Sequence, residues 1–553
     1  MTTDPIQVEL ELPGGTRSLR VPPHRRGASL ADLLRGHGLP LNTRCGGRGL
    51  CDGCVFELRS GRLARLDGSP LGDAAAGLRG CELRLAGAGP VRLRIPARAL
   101  LAYEPQVVSS FRLNVPRAQD PLPHAGGRDL AVAIDVGTTT VALLLVDLAD
   151  GAVRARAAGF NRQLHLGDDV LTRIQLCRSD PARVGELQQV LVGDTLRPLL
   201  AEALEQVGAR PERIGVLTAA GNSTMLHLLA GEDPSGMGVA PFAAAFLGHR
   251  VLDAAALGMD LPETPLHLLP GAAAYVGADV CAGVLASALA YEPGPSLLVD
   301  VGTNGEIVLK HGERLAGCAT AAGPAFEGSR LSHGMRAGTG AVARLRLAGR
   351  PLRSEPEVIG GGQPSGICGS AYVGFLAGAR AAGLLGLTGR IDPEVAGELL
   401  VETPGLGRGV RVATGRGRNP LCVFESDVAS LLQAKAAVAA GILTLLEREG
   451  LRAKEVRRLY LAGGFGMYLD PRHAIGCGLL PGFAPQQIQV VGNTALGGAY
   501  LALMDRGVLG EMERLAEALE VVELNLDPGF ERRYVESLLL PEPEAAGEPG
   551  RMS

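Results

Sequence analysis

The chain contains no Trp, its aromatic residues make up only 3% of 553 positions, and Arg supplies nearly all of its 54 basic side chains. Recognition of bases by stacking needs aromatic faces beside a Lys/Arg block, and no such interleaving occurs, which argues against nucleic acid as a partner. No stretch of 18 or more apolar residues is present, so no membrane partner is expected. The opening Met1-Thr2-Thr3-Asp4 lacks a basic-then-apolar profile, and the expected location is the cytoplasm. A disulfide framework is missing as well. Of ten Cys, six (Cys177, Cys281, Cys318, Cys368, Cys422 and Cys477) are scattered singly and read as reduced, buried thiols. Nor is a flavin or nicotinamide site evident. Gly338-Thr339-Gly340-Ala341-Val342-Ala343 fits G-x-G-x-x-A, but no apolar strand precedes it, so a dinucleotide site is not expected there.

What is present divides the chain. Its length and 46% hydrophobic content call for several cores rather than one. The net charge of −4 is uneven: residues 1–97 hold 14 Arg against 9 Asp and Glu, a balance of +5, which leaves −9 on the remainder. A basic N-terminal module of this kind can dock on an acidic partner.

In that module, Val8-Glu9-Leu10-Glu11-Leu12 and Ser18-Leu19-Arg20-Val21 alternate around a Pro-Gly-Gly turn and predict a hairpin. Ser29 caps a short helix that ends near Gly36. Then comes a Gly-rich run with Cys45, Cys51 and Cys54, followed after 26 intervening residues by Cys81. Iron in a [2Fe-2S] cluster takes four thiolates, and Gly lets backbone N–H groups turn toward the sulfurs. Five residues separate Cys45 from Cys51, whereas the plant-type loop has four. A tetrahedral zinc site is the competing reading. Zinc knuckles pair two Cys-x-x-Cys arms, and only one exists here.

From Leu130 the texture changes to Leu130-Ala131-Val132-Ala133-Ile134, a continuous apolar run typical of a strand buried on both faces. It leads into Asp135-Val136-Gly137-Thr138-Thr139-Thr140, and the same pattern returns 165 residues on as Asp300-Val301-Gly302-Thr303-Asn304-Gly305-Glu306. Gly lets backbone approach phosphate, Thr138, Thr139, Thr140 and Thr303 offer hydroxyl and N–H groups, and Asp135 and Asp300 can hold Mg²⁺ through water. A third apolar strand ends in Gly463-Gly464-Phe465-Gly466 and is expected to enter a helix. His227 and His333 are expected as packed or capping residues rather than ligands. Two ordinary hairpins in a β-rich protein are the alternative to the whole arrangement.

Two such turns and a later Gly-Gly loop resemble the phosphate and adenosine loops of the actin, sugar-kinase and heat-shock-chaperone ATPases. With the cysteine loop, the chain resembles the reductive activators of corrinoid proteins. Asn161-Arg162-Gln163, Gly167-Asp168-Asp169-Val170, Arg173-Ile174 and Gly221-Asn222-Ser223-Thr224-Met225-Leu226-His227 carry this likeness, as do Ala321-Ala322-Gly323-Pro324-Ala325-Phe326-Glu327-Gly328 and Gly492-Asn493-Thr494-Ala495. The resemblance implies a multidomain α/β protein: a β-grasp [2Fe-2S] ferredoxin-like domain (1–97), a linker (98–128), two actin-like lobes (129–290 and 291–541) and a disordered tail (542–553). It implies ATP-dependent reduction of a Co(II) corrinoid protein to Co(I) in a methyltransferase system, with the protein as a homodimer. It assigns Cys45, Cys51, Cys54 and Cys81 to the cluster. Asp135, Gly137, Thr138, Thr139, Thr140, Asp300, Gly302, Thr303, Asn304, Gly463 and Gly464 surround Mg²⁺ and ATP, and Asp279 and Glu327 orient water or metal. The remaining alternatives are an activase for another low-potential metalloenzyme, a cluster-gated redox sensor that binds nucleotide, or a small-molecule kinase with an accessory cluster.

Overall fold

The computed structural model describes the chain except residues 1–4, 13–14, 40, 42–53, 68–70, 72–76, 88, 97–98, 100–109, 116–119, 125, 329–330, 405, 416–418, 465–468 and 543–553. Cys45, Cys51 and the expected disordered tail therefore lie outside the described residues, apart from Glu542.

The N-terminal module is a five-stranded mixed sheet. Ile6–Leu12 and Gly15–Val21 form the expected hairpin, and Val91–Arg94 lies parallel to Ile6–Leu12 on its other side. Alternation places Val8 and Leu10 on one face, where they pack with Leu93 against Leu30, Leu33 and Leu34 of helix Leu30–Arg35. Ser29 caps that helix by accepting the Asp32 N–H at 3.0 Å.

Besides two three-stranded sheets in the sequence of the second lobe, two six-stranded sheets form the centre of the rest. In the first, Leu130–Val136 sits between its antiparallel hairpin partner Thr140–Asp147 and the parallel strand Ile214–Ala220. In the second, Ser296–Val301 sits in the same way between Gly305–His311 and the parallel strand Arg458–Ala462. The repeated sequence is thus a repeated topology. Chain order and packing part company near the end. Helix Thr494–Met504 is apolar on every side, as a helix buried all round must be, and it packs in the first lobe's core. There it crosses helix Ala278–Ala286 so closely that a Cβ on Gly498 would stand 2.4 Å from Ala282 Cβ.

Part of the segment expected as a linker is pinned to this waist. Phe111 bridges Gly492, and the N–H groups of Asp120 and Leu122 donate to Met504 O and Leu503 O. The 24-residue helix Glu425–Arg448 has the length and composition of a membrane span, yet most of it lies inside the second core. Its buried Lys435 donates to Ser537 O and Leu539 O, both at 2.6 Å, and so ties down the C-terminal helix. The helix expected after Gly463-Gly464 falls on residues 465–468, outside the described ones; the next described helix is Pro471–Gly476, capped by Asp470.

Candidate functional site

A cavity of about 220 Å³ opens between the lobes where the two repeated hairpins face each other. Asp135, Gly137, Thr138, Thr139 and Thr140 line it from one side, and Asp300, Gly302, Thr303, Asn304 and Glu327 from the other. Asp279, Gly463 and Gly464 complete the set named from sequence. The hairpins bring in their turns from the ends of buried strands, which is why sites so far apart in sequence meet. The Thr139 and Thr303 hydroxyls stand 3.3 Å apart across the cleft. Thr303 donates to Glu327 Oε1 at 2.7 Å, and Arg336 Nε donates to Glu327 Oε2 at 3.1 Å.

Glycine is required at two of these positions. A Cβ on Gly137 would meet Thr140 O at 2.2 Å. Gly463 has φ +90°, and its Cβ would stand 2.5 Å from Asp300 Oδ1, so the third loop is seated directly on that carboxylate.

Several lining residues were not expected from sequence. Glu306 lies directly opposite Asp300 in the antiparallel register, so both carboxylates project from one face of the sheet. Asn222 and Asn493 cap helices Ser223–Ala230 and Thr494–Met504, and each turns its amide nitrogen to the site: Asn222 to Thr138 Oγ1 at 2.9 Å, Asn493 to Asp135 Oδ2 at 2.7 Å. The signal for both was an Asn ahead of an apolar helix, with Gly before it. Cys368 also lines the cleft, 3.0 Å from Ser370 Oγ.

The electrostatics are dominated by crowded acid. Asp135, Asp279, Asp300 and Glu306 keep some surface toward the cleft, but protein encloses them and desolvation prevails. Burial pushes Asp135 up to about 7, with the Asp279 charge adding and the Asn493 hydrogen bond opposing. Asp300 is also raised to about 7, by burial and then by Asp279 and Asp135. Asp279 rises to about 6 through burial, opposed by the Val280 N–H, and Glu306 is raised well above the usual carboxylate range by burial, then by Asp279 and Asp300. No group of three or more His, Cys, Asp or Glu among the described residues is arranged to hold a metal directly, but carboxylates crowded in this way suit a hard divalent cation bound through water, whose charge would reverse these shifts.

The described part of the cysteine site also fits its expected role. Cys54 and Cys81 are buried thiols with their sulfurs 3.5 Å apart. A disulfide measures about 2.05 Å, whereas two thiolates on one tetrahedral metal at about 2.3 Å each stand near 3.8 Å. Val55 and Phe56 pair with Arg79 and Leu78, and the Gly80 N–H donates to Cys54 O at 3.0 Å, which fixes the two cysteines relative to each other. The other six Cys are buried and free, as expected. His227 is a packed residue: its Nδ1 lies 2.7 Å from Ser223 O while Nε2 accepts the Ala245 N–H at 3.0 Å. His333 lies outside the cleft, with Nδ1 3.0 Å from Cys422 O.

Two lobes, a duplicated strand–turn–strand and a cleft between them define the actin- and sugar-kinase-like class of fold. Comparison with known proteins agrees. The family described as the C-terminal domain of RACo, the ASKHA domain, matches residues 294–549, and the RACo middle region matches residues 130–292. The corrinoid activation enzyme RamQ of Eubacterium limosum is 31% identical over 423 residues, covering 73% of this chain and 69% of the relative. The Co(II) methylated amine-specific corrinoid protein reductase of Methanosarcina barkeri is 28% identical over 264 residues, 44% of this chain and 45% of its own length. A solved reductive activator for corrinoid, iron-sulfur protein superposes with TM-score 0.70 at 27% identity, covering 97% of this chain and 98% of that one. The chain belongs to the family of reductive activators of corrinoid proteins.

Proposed function

We propose that the protein reduces the inactive Co(II) state of a corrinoid protein to methyl-accepting Co(I), using Mg-ATP and one electron at a time from a [2Fe-2S] cluster. The observation that carries this reading is the convergence of every nucleotide and acidic residue expected from sequence on one inter-lobe cleft. The turns at Gly137 and Gly302 bind phosphate, Gly463 and Gly464 bound the nucleoside side, and the carboxylates of Asp135, Asp279 and Asp300 hold Mg²⁺. Glu327, oriented by Thr303 and Arg336, positions the attacking water. Cys45, Cys51, Cys54 and Cys81 hold the cluster in a β-grasp ferredoxin-like domain, and the 3.5 Å sulfur separation supports Cys54 and Cys81 on one iron. When bound, the cluster supplies a one-electron store within the same chain as the cleft.

ATP is needed because each 59 mV of uphill transfer costs one electron about 1.4 kcal/mol. Arg336 and Glu327 of the second lobe meet Asp168 and Thr139 of the first, at 3.8 and 3.5 Å, so nucleotide between the lobes bears on their closure and on how the corrinoid partner is met. An external reductase or ferredoxin refills the cluster, and the working form is a cytoplasmic homodimer.

The test is anaerobic. Reduced protein is mixed with a Co(II) corrinoid protein and Co(I) absorbance is followed with and without Mg-ATP. Co(I) formation that requires ATP and is lost in Cys54→Ser is expected. An ATP-independent Co(I) yield and partner affinity would overturn the coupling, and no Co(I) with several corrinoid proteins would favour an activase for another metalloenzyme.

A further inference from the structure

The first phosphate turn does not hold itself. Three of its carbonyls are each taken by a group outside the hairpin turn: Gly137 O accepts from Asn161 Nδ2 at 3.0 Å, Thr138 O from Arg173 Nη2 at 2.6 Å, and Thr139 O from the Asn161 N–H at 2.9 Å. Asn161 and Arg173 are both 0% exposed, so these bonds draw the carbonyls away from the cleft and into protein. In a trans peptide the C=O of one residue and the N–H of the next point in opposite directions. Holding Gly137 O and Thr138 O inward therefore turns the N–H groups of Thr138 and Thr139 outward.

We infer that Asn161 and Arg173 are positioning residues that orient the backbone N–H groups of Thr138 and Thr139 toward the nucleotide's phosphates. Neither side chain lines the cleft itself. Arg173 is fixed for the task, with Nη1 on Gln163 Oε1 at 2.9 Å and Nε on Gly167 O at 3.1 Å. A fully buried guanidinium is costly to desolvate, and an apolar side chain would fill the same space without that cost. Burial lowers Arg173 only to about 10, so it remains a cation at neutral pH behind an anion site. The segment from Asn161 to Arg173, which carries part of the family likeness, thereby gains a physical role.

This inference rests on the nucleotide reading of the cleft, and the experiment separates the two. ATP and adenosine affinities are measured on the full-length protein, wild type against Asn161→Asp, Arg173→Met and Arg173→Lys, with far-ultraviolet circular dichroism to confirm folding. Asn161→Asp keeps the acceptor for the Gln163 N–H and sets an oxygen against Gly137 O. ATP affinity is expected to fall tenfold or more in Asn161→Asp and Arg173→Met, adenosine affinity to stay within twofold, and Arg173→Lys to recover part of the loss. Folded variants that bind ATP within twofold of wild type, or that lose ATP and adenosine equally, would overturn the positioning role. Should Arg173→Met fail to fold, Asn161→Asp decides by the same criteria. Failure of the wild type to bind ATP would overturn the nucleotide reading itself, and the positioning role with it.

Discussion

The two hairpins that face each other across the cleft begin with the same four residues, Asp-Val-Gly-Thr, and are built differently from there. In the first, Val136 pairs with Val141 and encloses four turn residues; in the second, Val301 pairs with Gly305 and encloses three. The shorter turn closes on its own backbone, with the Gly302 N–H donating to Asn304 O at 2.9 Å, while the longer one is held from outside by Asn161 and Arg173. The register also places Ala142 opposite Asp135 but Glu306 opposite Asp300. One added residue and one exchanged partner thus turn a duplicated motif into a clamped turn facing an acid-laden one. The difference teaches that equal motifs need not contribute equally to the chemistry.

Removing the shared element should have the largest effect. Asp135→Asn and Asp300→Asn each take a carboxylate from the proposed Mg²⁺ site, and ATP turnover is expected to fall by about 100-fold or more in either, read as phosphate release. A loss confined to one hairpin would show that only that turn carries the metal. Next, Glu306→Ala makes the second hairpin resemble the first. Turnover is expected to drop by roughly 10-fold, and the nucleotide-free protein to gain about 1 kcal/mol, because the desolvated Glu306 carboxyl beside Asp300 is gone. Denaturant unfolding without Mg²⁺ checks the second part.

The pH dependence sharpens the same contrast. Asp135 and Asp300, both raised to about 7, bind protons in the native state between about pH 4 and pH 7 that the unfolded chain releases. Without nucleotide, stability should therefore fall as pH rises through that window. Mg-ATP would offset the crowded charge, so a concentration 100 times its dissociation constant at pH 7.5 should add about 2.7 kcal/mol there, and the same concentration should add less near pH 5, where protonated carboxyls bind the metal more weakly. Thermal unfolding at both pH values, with and without Mg-ATP, measures this.

The sequence made the repeated turns and the Gly-Gly loop legible because each is a local pattern whose chemistry is carried by consecutive residues. Glu306 stood in plain view six residues after Asp300, but only the register shows that the two share a face. Asn222 and Asn493 were harder still, since a helix cap looks the same whether or not its amide reaches a site on another element. The packing of Thr494–Met504 into the first lobe's core was not legible at all. Such a helix has no polar face to say which core it enters. The N-terminal hairpin and its Ser29-capped helix were local patterns and formed where expected.

The smallest expected effect concerns what distinguishes the two aspartates. Asn493 donates to Asp135 Oδ2 and, through Oδ1, caps the Leu496 N–H at 2.9 Å, whereas Asp300 has Gly463 against it and two acidic neighbours acting on its charge. Asn493→Ala should cost about 1 kcal/mol of stability from the lost cap. It should also raise Asp135 further, because the hydrogen bond that favoured its ionised form is gone. The acid limb of ATP turnover would then move to higher pH in Asn493→Ala. An unshifted limb with the stability loss intact would mean that Asp300, not Asp135, sets the ionisation on which turnover depends.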